Sequence, residues 1–224
     1  MTHTKISDSA VRRLSIYLRL LRDLGDQGVV LVSSRELAER AGATSAQVRK
    51  DLSLFGSFGK RGRGYSVAEL AGTLEEILGL RRHWRVALVG VGKIGTALLG
   101  YQDLNRRGFE VVAAFDTATG KVGDRQFGVR ISPLSNLKAI VRERDVEIGI
   151  IATPPEAAQD VAERLAEAGV VAILNFAPVK LDVPAGVSLK TMDVAMELEG
   201  LSFQLAAGER DGRGTVNRAP GGVA

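Results

Sequence analysis

Apolar residues recur at helical spacing through the first third of the chain and gather into short β-like runs beyond it. In SAVRRLSIYLRLLRDLGDQG, Val11, Leu14, Leu18 and Leu21, with Tyr17 and Leu24 beside them, fall on one face, and Gly25 is expected to stop the helix. SSRELAERAG predicts a second helix. Its Ser33 and Glu36 have capping-box spacing, and Gly42 is a terminator that accepts the left-handed conformation. ATSAQVRKDLSLFG predicts a third, with Thr44 and Gln47 as a second capping box. Residues 66–84, with Val67, Leu70, Leu74, Ile77 and Leu78 on one side, read as a connecting helix, and the boundary between two domains falls near Leu80–Arg85.

From Arg85 the period changes. RVALV, EVVAAFD, VEIGIIAT and VVAILNFAP read as strands, with VSLKTMD a candidate for another. Helices are expected over Lys93 to about Arg107, over LSNLKAIVRERD, and over PPEAAQDVAERLAEAG, which has prolines at its start and glycine after its end. Strands alternating with helices imply a doubly wound parallel sheet.

Charge sharpens the picture of the first third. Residues 1–82 carry 14 Lys/Arg against 9 Asp/Glu, whereas the remainder carries 16 against 17. Arg49, Lys50, Lys60, Arg61 and Arg63 cluster within 42–66, opposed only by Asp51. Ala38, Gly42 and Val48 supply in order a small residue at a helix crossing, a permissive turn and an inward apolar contact, which is the pattern of a helix-turn-helix. Val48 and Leu52 then face inward, while Gln47, Lys50 and Ser53, flanked by Arg49 and by Ser45 at the helix start, form a face suited to a major groove. A plain helical hairpin with a solvated basic face is the alternative. GSFGKRGRGYSV follows directly, and its glycines with Lys60, Arg61 and Arg63 predict a basic wing able to approach phosphates or a minor groove.

The second part opens with VALVGVGKIGTALLGY. Gly90, Gly92 and Gly95 form a Gly-x-Gly-x-x-Gly between a strand and a helix, and Asp116 closes the next strand 21 positions after Gly95. That context is what a Rossmann dinucleotide site requires. Gly90 makes the turn, Gly92 lets the backbone approach a pyrophosphate and Gly95 permits close helix–sheet packing, with Val91, Lys93 and Ile94 between them. Asp116 suits an adenosine ribose 2′-hydroxyl and would repel a 2′-phosphate, which favours NAD(H) over NADP(H). Two further strand ends, Thr153-Pro154 and Asn175-Phe176-Ala177, are expected to line the same crevice. Glycine used only for packing, and proline used only to shape loops, are the plainer readings.

Hydride-transfer chemistry lacks its usual partners. The only histidines are His3, near the N-terminus, and His83, ahead of the first strand and away from the crevice. Lys180 and Tyr101 remain conceivable bases, but no length is left for a substrate domain, so no catalytic residue, metal or enzymatic activity is expected. A small NAD-dependent oxidoreductase with an accessory basic domain is the alternative, and a coenzyme-A-binding module a third reading. The chain has 224 residues and no cysteine, which leaves no disulfide and no thiolate ligand. It has no long apolar run for a membrane, and a cytoplasmic protein is the simplest expectation.

Together SSRELAERAGATSAQVRKDLSLFGSFGKRGRGY and VALVGVGKIGTALLGY, followed by FD, IATPP, ILNFAP and MDVAMELEGLSF, resemble the Rex family of redox-sensing transcriptional repressors over roughly residues 7–207. The resemblance implies a homodimer bound to palindromic double-stranded operator DNA, released by NADH and permitted by NAD+, with each C-terminal helix swapped onto the other subunit. It also implies a switch in which Asp193 pairs alternately with Tyr101 or Arg19. The local pattern agrees with a helical exchange: Val194, Leu198, Leu201 and Leu205 form a stripe that something must cover, its own domain or a partner. The expected fold is thus α/β: a winged helix-turn-helix domain (1–80), a Rossmann-type doubly wound parallel sheet domain (81–191), a domain-swapped C-terminal helix (192–207) and a disordered tail (208–224).

Overall fold

A computed structural model describes residues 6–56, 58 and 64–210, the side chains of 208–210 excepted. The chain divides into two compact units, Met1–His83 and Trp84–Ala224.

In the first unit, α1 (Asp8–Asp26), α2 (Ser34–Ala41), α3 (Ser45–Ser53) and α4 (Val67–Ile77) enclose a core that includes Leu14, Tyr17, Leu21, Leu37, Val48 and Leu74. The Ser33 hydroxyl accepts from the Glu36 amide at 3.1 Å and the Glu36 carboxylate accepts from the Ser33 amide at 2.9 Å, completing the first capping box. Gly42 then turns the chain with φ +64°. No atom crowds the place of a Cβ there, so it is the left-handed backbone, not space, that requires glycine. Ala38 is buried where α2 meets α3.

Three expectations change in this unit. α1 runs through Gly25 and ends at Gln27, because the amides of Gln27 and Gly28 still reach carbonyls of the last turn; Gly28, at φ +76°, makes the reversal. The second capping box is half formed: Thr44 accepts from the Gln47 amide at 3.1 Å, but the Gln47 side chain turns to Asp51. Strand β2 (Tyr65–Ser66) pairs antiparallel with an unanticipated β1 (Leu31–Val32). Lys60, Arg61 and Arg63 of the expected wing lie outside the described residues.

The second unit is built on seven strands. They are β3 (Trp84–Val89), β4 (Phe109–Asp116), β5 (Arg125–Gln126), β6 (Val129–Pro133), β7 (Ile148–Ile151), β8 (Ala172–Asn175) and β9 (Ser188–Thr191), in the order β5-β6-β4-β3-β7-β8-β9. Six are parallel; β5 pairs antiparallel with β6 in a short edge hairpin. Sequence reading missed that hairpin, although Phe127, Val129 and Ile131 alternate with Gly128, Arg130 and Ser132; β5 itself is only two residues long and offers no strand period.

Alternate residues of β3 face opposite cores. Ala87 and Val89 pack with α7 (Leu137–Glu143) and α8 (Pro155–Ala168), while Val86 and Leu88 pack with Leu98 and Leu99 of α5 (Lys93–Leu99). Both faces are therefore apolar, which explains a continuous run in place of alternation. The expected long helix after the glycine motif breaks at Gly100 and resumes as α6 (Asp103–Arg106). A 3-10 turn (Leu134–Asn136) precedes α7. The last helix, α9 (Val194–Arg210), extends past residue 207, where the tail was expected to begin.

Because β3 is flanked by β4 on one side and β7 on the other, chain order reverses at its carboxyl end. A crevice opens there in sheets of this winding.

Candidate cofactor pocket and DNA-reading helix

The carboxyl ends of β3, β4 and β7 converge on the glycine loop. Gly90 has φ +94°, and a Cβ on it would stand 2.5 Å from the Ala152 carbonyl oxygen. A Cβ on Gly95 would collide with the Gly90 carbonyl. Gly92 differs from both: nothing lies within 4 Å of the Cβ position, so protein packing leaves that approach open. A cavity of about 310 Å³ lies here, lined by Gly90, Gly92, Asp116, Lys121, Thr153 and Pro154 among others.

Asp116 is the charged centre of this pocket. Its carboxylate accepts from the Val91 amide at 2.9 Å and the Ala118 amide at 2.8 Å, and Lys121 Nζ stands 3.4 Å away. Burial pushes its pKa up, but the two amides and the Lys121 ammonium outweigh that and hold it below the ordinary carboxylate value. Lys121 also donates to the Val91 carbonyl at 2.8 Å, so it clasps the glycine loop from the β4 side. Sequence reading missed Lys121; its signal was a cation five residues past the strand-closing acid. The Thr153 hydroxyl is buried and has no hydrogen-bond partner among the described residues.

The other expected pocket residues divide. Lys93 and Ile94 are exposed on the first turn of α5, and Val91 is buried beneath the loop. Asn175 serves its own loop: its amide donates to the carbonyls of Ala177 and Val179 at 2.9 and 3.1 Å and accepts from the Ala177 amide at 2.9 Å. It is fully buried, and Ala177 belongs to the α8-side core. Phe176 packs partly against the opposite core. None of the three lines the glycine-loop cavity, and the Asn175 side chain is committed to its own loop, where a pocket contact was expected.

Tyr101 lines a separate groove of about 680 Å³ with Phe127, Gln102 and Arg130, and does not line the glycine-loop cavity. Its hydroxyl lies 3.4 Å from the Asp103 carboxylate, which Arg107 engages at 2.6 Å. Asp193 caps α9, accepting from the amides of Ala195 and Met196 at 2.9 and 3.3 Å. Arg19 is exposed on α1.

On α3, Val48 and Leu52 are buried as expected, and Arg49, Lys50 and Ser53 are exposed. Ser45 begins the helix and is half-buried. Arg49 donates to the Ser34 hydroxyl at 3.2 Å, and the Ser53 hydroxyl donates to the Lys50 carbonyl at 2.8 Å. Gln47 is half-buried and its amide donates to Asp51 at 2.7 Å, so it does not stand free on the outer face. Asp51 is 2% exposed. It takes both prongs of the Arg13 guanidinium, at 2.6 and 2.7 Å, and the Tyr17 hydroxyl at 3.0 Å. Burial opposes its charge, yet these donors hold its pKa below the ordinary value. Burial and Asp51 push the Tyr17 phenol up to about 12. An acid three residues past Val48, on the inward stripe, was the sequence signal for this network.

Residues 5–53 match the family model described as a putative DNA-binding protein N-terminus, and residues 81–179 match the one described as a CoA binding domain. A redox-sensing transcriptional repressor Rex of Desulforamulus reducens is 44% identical over 94% of this chain and all of its own length. The chain belongs to the Rex family. Further Rex repressors, from Carboxydothermus hydrogenoformans and Syntrophomonas wolfei, are 46% and 47% identical over 90% and 92% of the chain and 97% and 98% of their own. Among solved structures, the Rex-family repressor RSP in complex with β-NAD+ and operator DNA superposes with a TM-score of 0.88 at 34% identity, covering 96% of this chain and all of that one. RSP in complex with β-NADH gives 0.84 at 33%, covering 94% and 99%. The Rex relatives are named as repressors, in agreement with a chain expected to carry no catalytic activity. No helix among the described residues is long and apolar enough to cross a membrane.

Proposed function

We propose that this Rex-family chain is a transcriptional repressor whose hold on palindromic operator DNA is set by the NADH/NAD+ ratio: NADH releases the DNA and NAD+ permits repression. The observation that carries this is the pairing, in one chain, of a basic α3 on a helix-turn-helix with a glycine-loop pocket closed by a low-pKa Asp116. The pocket residues fit a dinucleotide. Asp116 lines the cavity where an adenosine ribose hydroxyl would donate, Gly92 leaves room for a pyrophosphate, and the buried Thr153 hydroxyl, without a partner among the described residues, would find one in a ligand. The cavity, about 310 Å³, is at the small end for such ligands and opens to solvent, so it takes only part of one.

On the DNA side, Lys50 and Arg49 meet the major groove, with Lys60, Arg61 and Arg63 assigned to phosphates or minor groove by their sequence alone. Two copies face a palindrome through a twofold dimer, and α9 is the element exchanged. Its Val194, Leu198, Leu201 and Leu205 are all more than half exposed. Asp193 at the start of α9 is the switching carboxylate. It would trade its capping bonds, or share them, with Tyr101 or Arg19 as the two states alternate. A repressor of this kind acts in the cytoplasm.

The test is titration of a palindromic duplex with the chain in NAD+ and then in NADH. Affinity should fall in NADH, and DNA should weaken NADH binding by the same factor; equal affinity in both redox forms would sink the sensor reading. The match of residues 81–179 to a CoA-binding model favours one other ligand, and competition between NADH and coenzyme A separates the two.

A further inference from the structure

The structure assigns Asp51 a positioning role: with Arg13 it clamps the DNA-reading helix to α1 and so sets the aim of its base-reading side chains. This rests on the reading that α3 faces DNA. A buried carboxylate on a helix otherwise rich in cations is costly unless paired. Here it is paired on every side. Arg13 supplies a two-pronged contact at 2.6 and 2.7 Å, Tyr17 donates at 3.0 Å and Gln47 at 2.7 Å. A planar fork on a carboxylate fixes direction as well as distance, which one ammonium does not. Val48 and Leu52 alone are apolar contacts, which resist separation of the helices but only weakly resist rotation of α3 about its axis. The Arg13–Asp51 fork supplies that missing constraint. It lies one residue along the helix from Lys50, so a small rotation at Asp51 moves Lys50 by a comparable amount. Gln47 belongs to the same clamp, so its amide is spent on Asp51 and base reading falls to the exposed residues of α3.

A positioning residue has a signature that a direct base contact does not. Loss of a base contact relaxes discrimination at one position of the site. Loss of aim relaxes it at every position α3 reads, while phosphate-driven, non-specific binding stays the same. Arg13→Lys keeps the charge and removes the fork; Asp51→Asn removes the charge at constant size. Because Asp51→Asn strands a guanidinium and is the variant that endangers folding, Arg13→Lys is the primary probe.

The experiment uses a palindromic duplex selected by the full-length wild-type chain from a random-sequence pool, a set of its single-base-pair variants, and a scrambled duplex. Thermal unfolding and NADH titration report whether each variant folds. For Arg13→Lys we expect roughly tenfold weaker binding to the selected duplex, a loss comparable to one good base contact. Affinity for scrambled DNA, salt slope and NADH affinity should match wild type, and discrimination should flatten across the α3-read positions together. Folded Arg13→Lys with wild-type discrimination at all of those positions overturns the clamp, and so does a loss confined to one position. A wild-type chain that selects no duplex overturns the repressor reading instead, so the two failures are distinguishable.

Discussion

Asp116 accepts a hydrogen bond from the Val91 amide at 2.9 Å, which ties the acid at the end of β4 to the middle of the glycine loop at the end of β3. The contact joins adjacent strand ends across the place where a dinucleotide would lie. The acid organises the loop, and in the function proposed above it would also meet a ribose hydroxyl. Asp116→Ala should therefore weaken NADH binding by about tenfold or more, the loss typical of a hydrogen bond to a charged group. Fluorescence titration of NADH measures it. The pH behaviour has a defined sign. The folded carboxyl is held below its unfolded value, so its contribution to stability is present above about pH 4 and is lost as pH falls through the lowered folded value. The stability gap between wild type and Asp116→Ala should accordingly close in acid; a gap that widens there contradicts the assignment.

The glycine loop holds one glycine that packing requires and one that it does not. A Cβ on Gly95 collides with the Gly90 carbonyl, whereas one on Gly92 meets nothing within 4 Å. Gly95→Ala should lower stability by about 1–3 kcal/mol, as overpacking does. Gly92→Ala should leave stability within about 0.5 kcal/mol of wild type while NADH affinity drops, because only the ligand needs that space. Denaturant unfolding and NADH titration on both variants check the contrast. Gly92→Ala with full NADH affinity would mean that the pyrophosphate does not pass there.

How much of this was legible in the sequence follows from the range of the signals. The helix-turn-helix was readable because capping, turn and inward positions at Ser33, Gly42 and Val48 are local. The glycine pocket was readable because Gly90, Gly92, Gly95 and Asp116 keep a fixed spacing. What escaped depends on partners distant in the chain. Asp51 looked like the lone acid in a basic cluster, and its meaning lies in Arg13, 38 residues earlier. Gln47 was placed on the outer face by helical period, yet a neighbour on the next turn drew its amide inward. Asn175 was placed in the crevice by its strand end, but its side chain closes its own loop. The β5–β6 hairpin escaped although Phe127, Val129 and Ile131 alternate, because the two residues of β5 are too few to show a period. Gly25 has ample precedent as a stop, and only the continuing amide bonds of Gln27 and Gly28 overrode it.

Tyr17 carries a prediction at high pH. Its phenol is buried and donates to Asp51, and these push its pKa up to about 12 against the small opposing effect of Arg13. Since the folded value lies above the unfolded one of about 10, the phenol stabilises the fold fully below that value. This contribution is lost as pH rises from there through about 12. Absorbance titration of the phenolates should show a late component that Tyr17→Phe removes. If the Tyr17 component instead ionises near 10 in the folded protein, the hydrogen bond to Asp51 is not holding the proton.

The exposed stripe of α9 gives the last expectation. Leu198 and Leu205 are 60% and 72% exposed, on a helix whose Val194 and Leu201 extend the same stripe. Each leucine covered on association would contribute about 1.5–3 kcal/mol relative to leaving it in water. A twofold arrangement counts each residue twice, once per copy. Under the proposed exchange of α9, Leu198→Asp combined with Leu205→Asp should therefore shift the chain from dimer to monomer in sedimentation. The melting of the isolated subunit should change little, because neither leucine belongs to the packed core. A variant that still sediments as a dimer would show that the copies meet through another surface, and the groove at Tyr101 and Phe127 would then be the place to test.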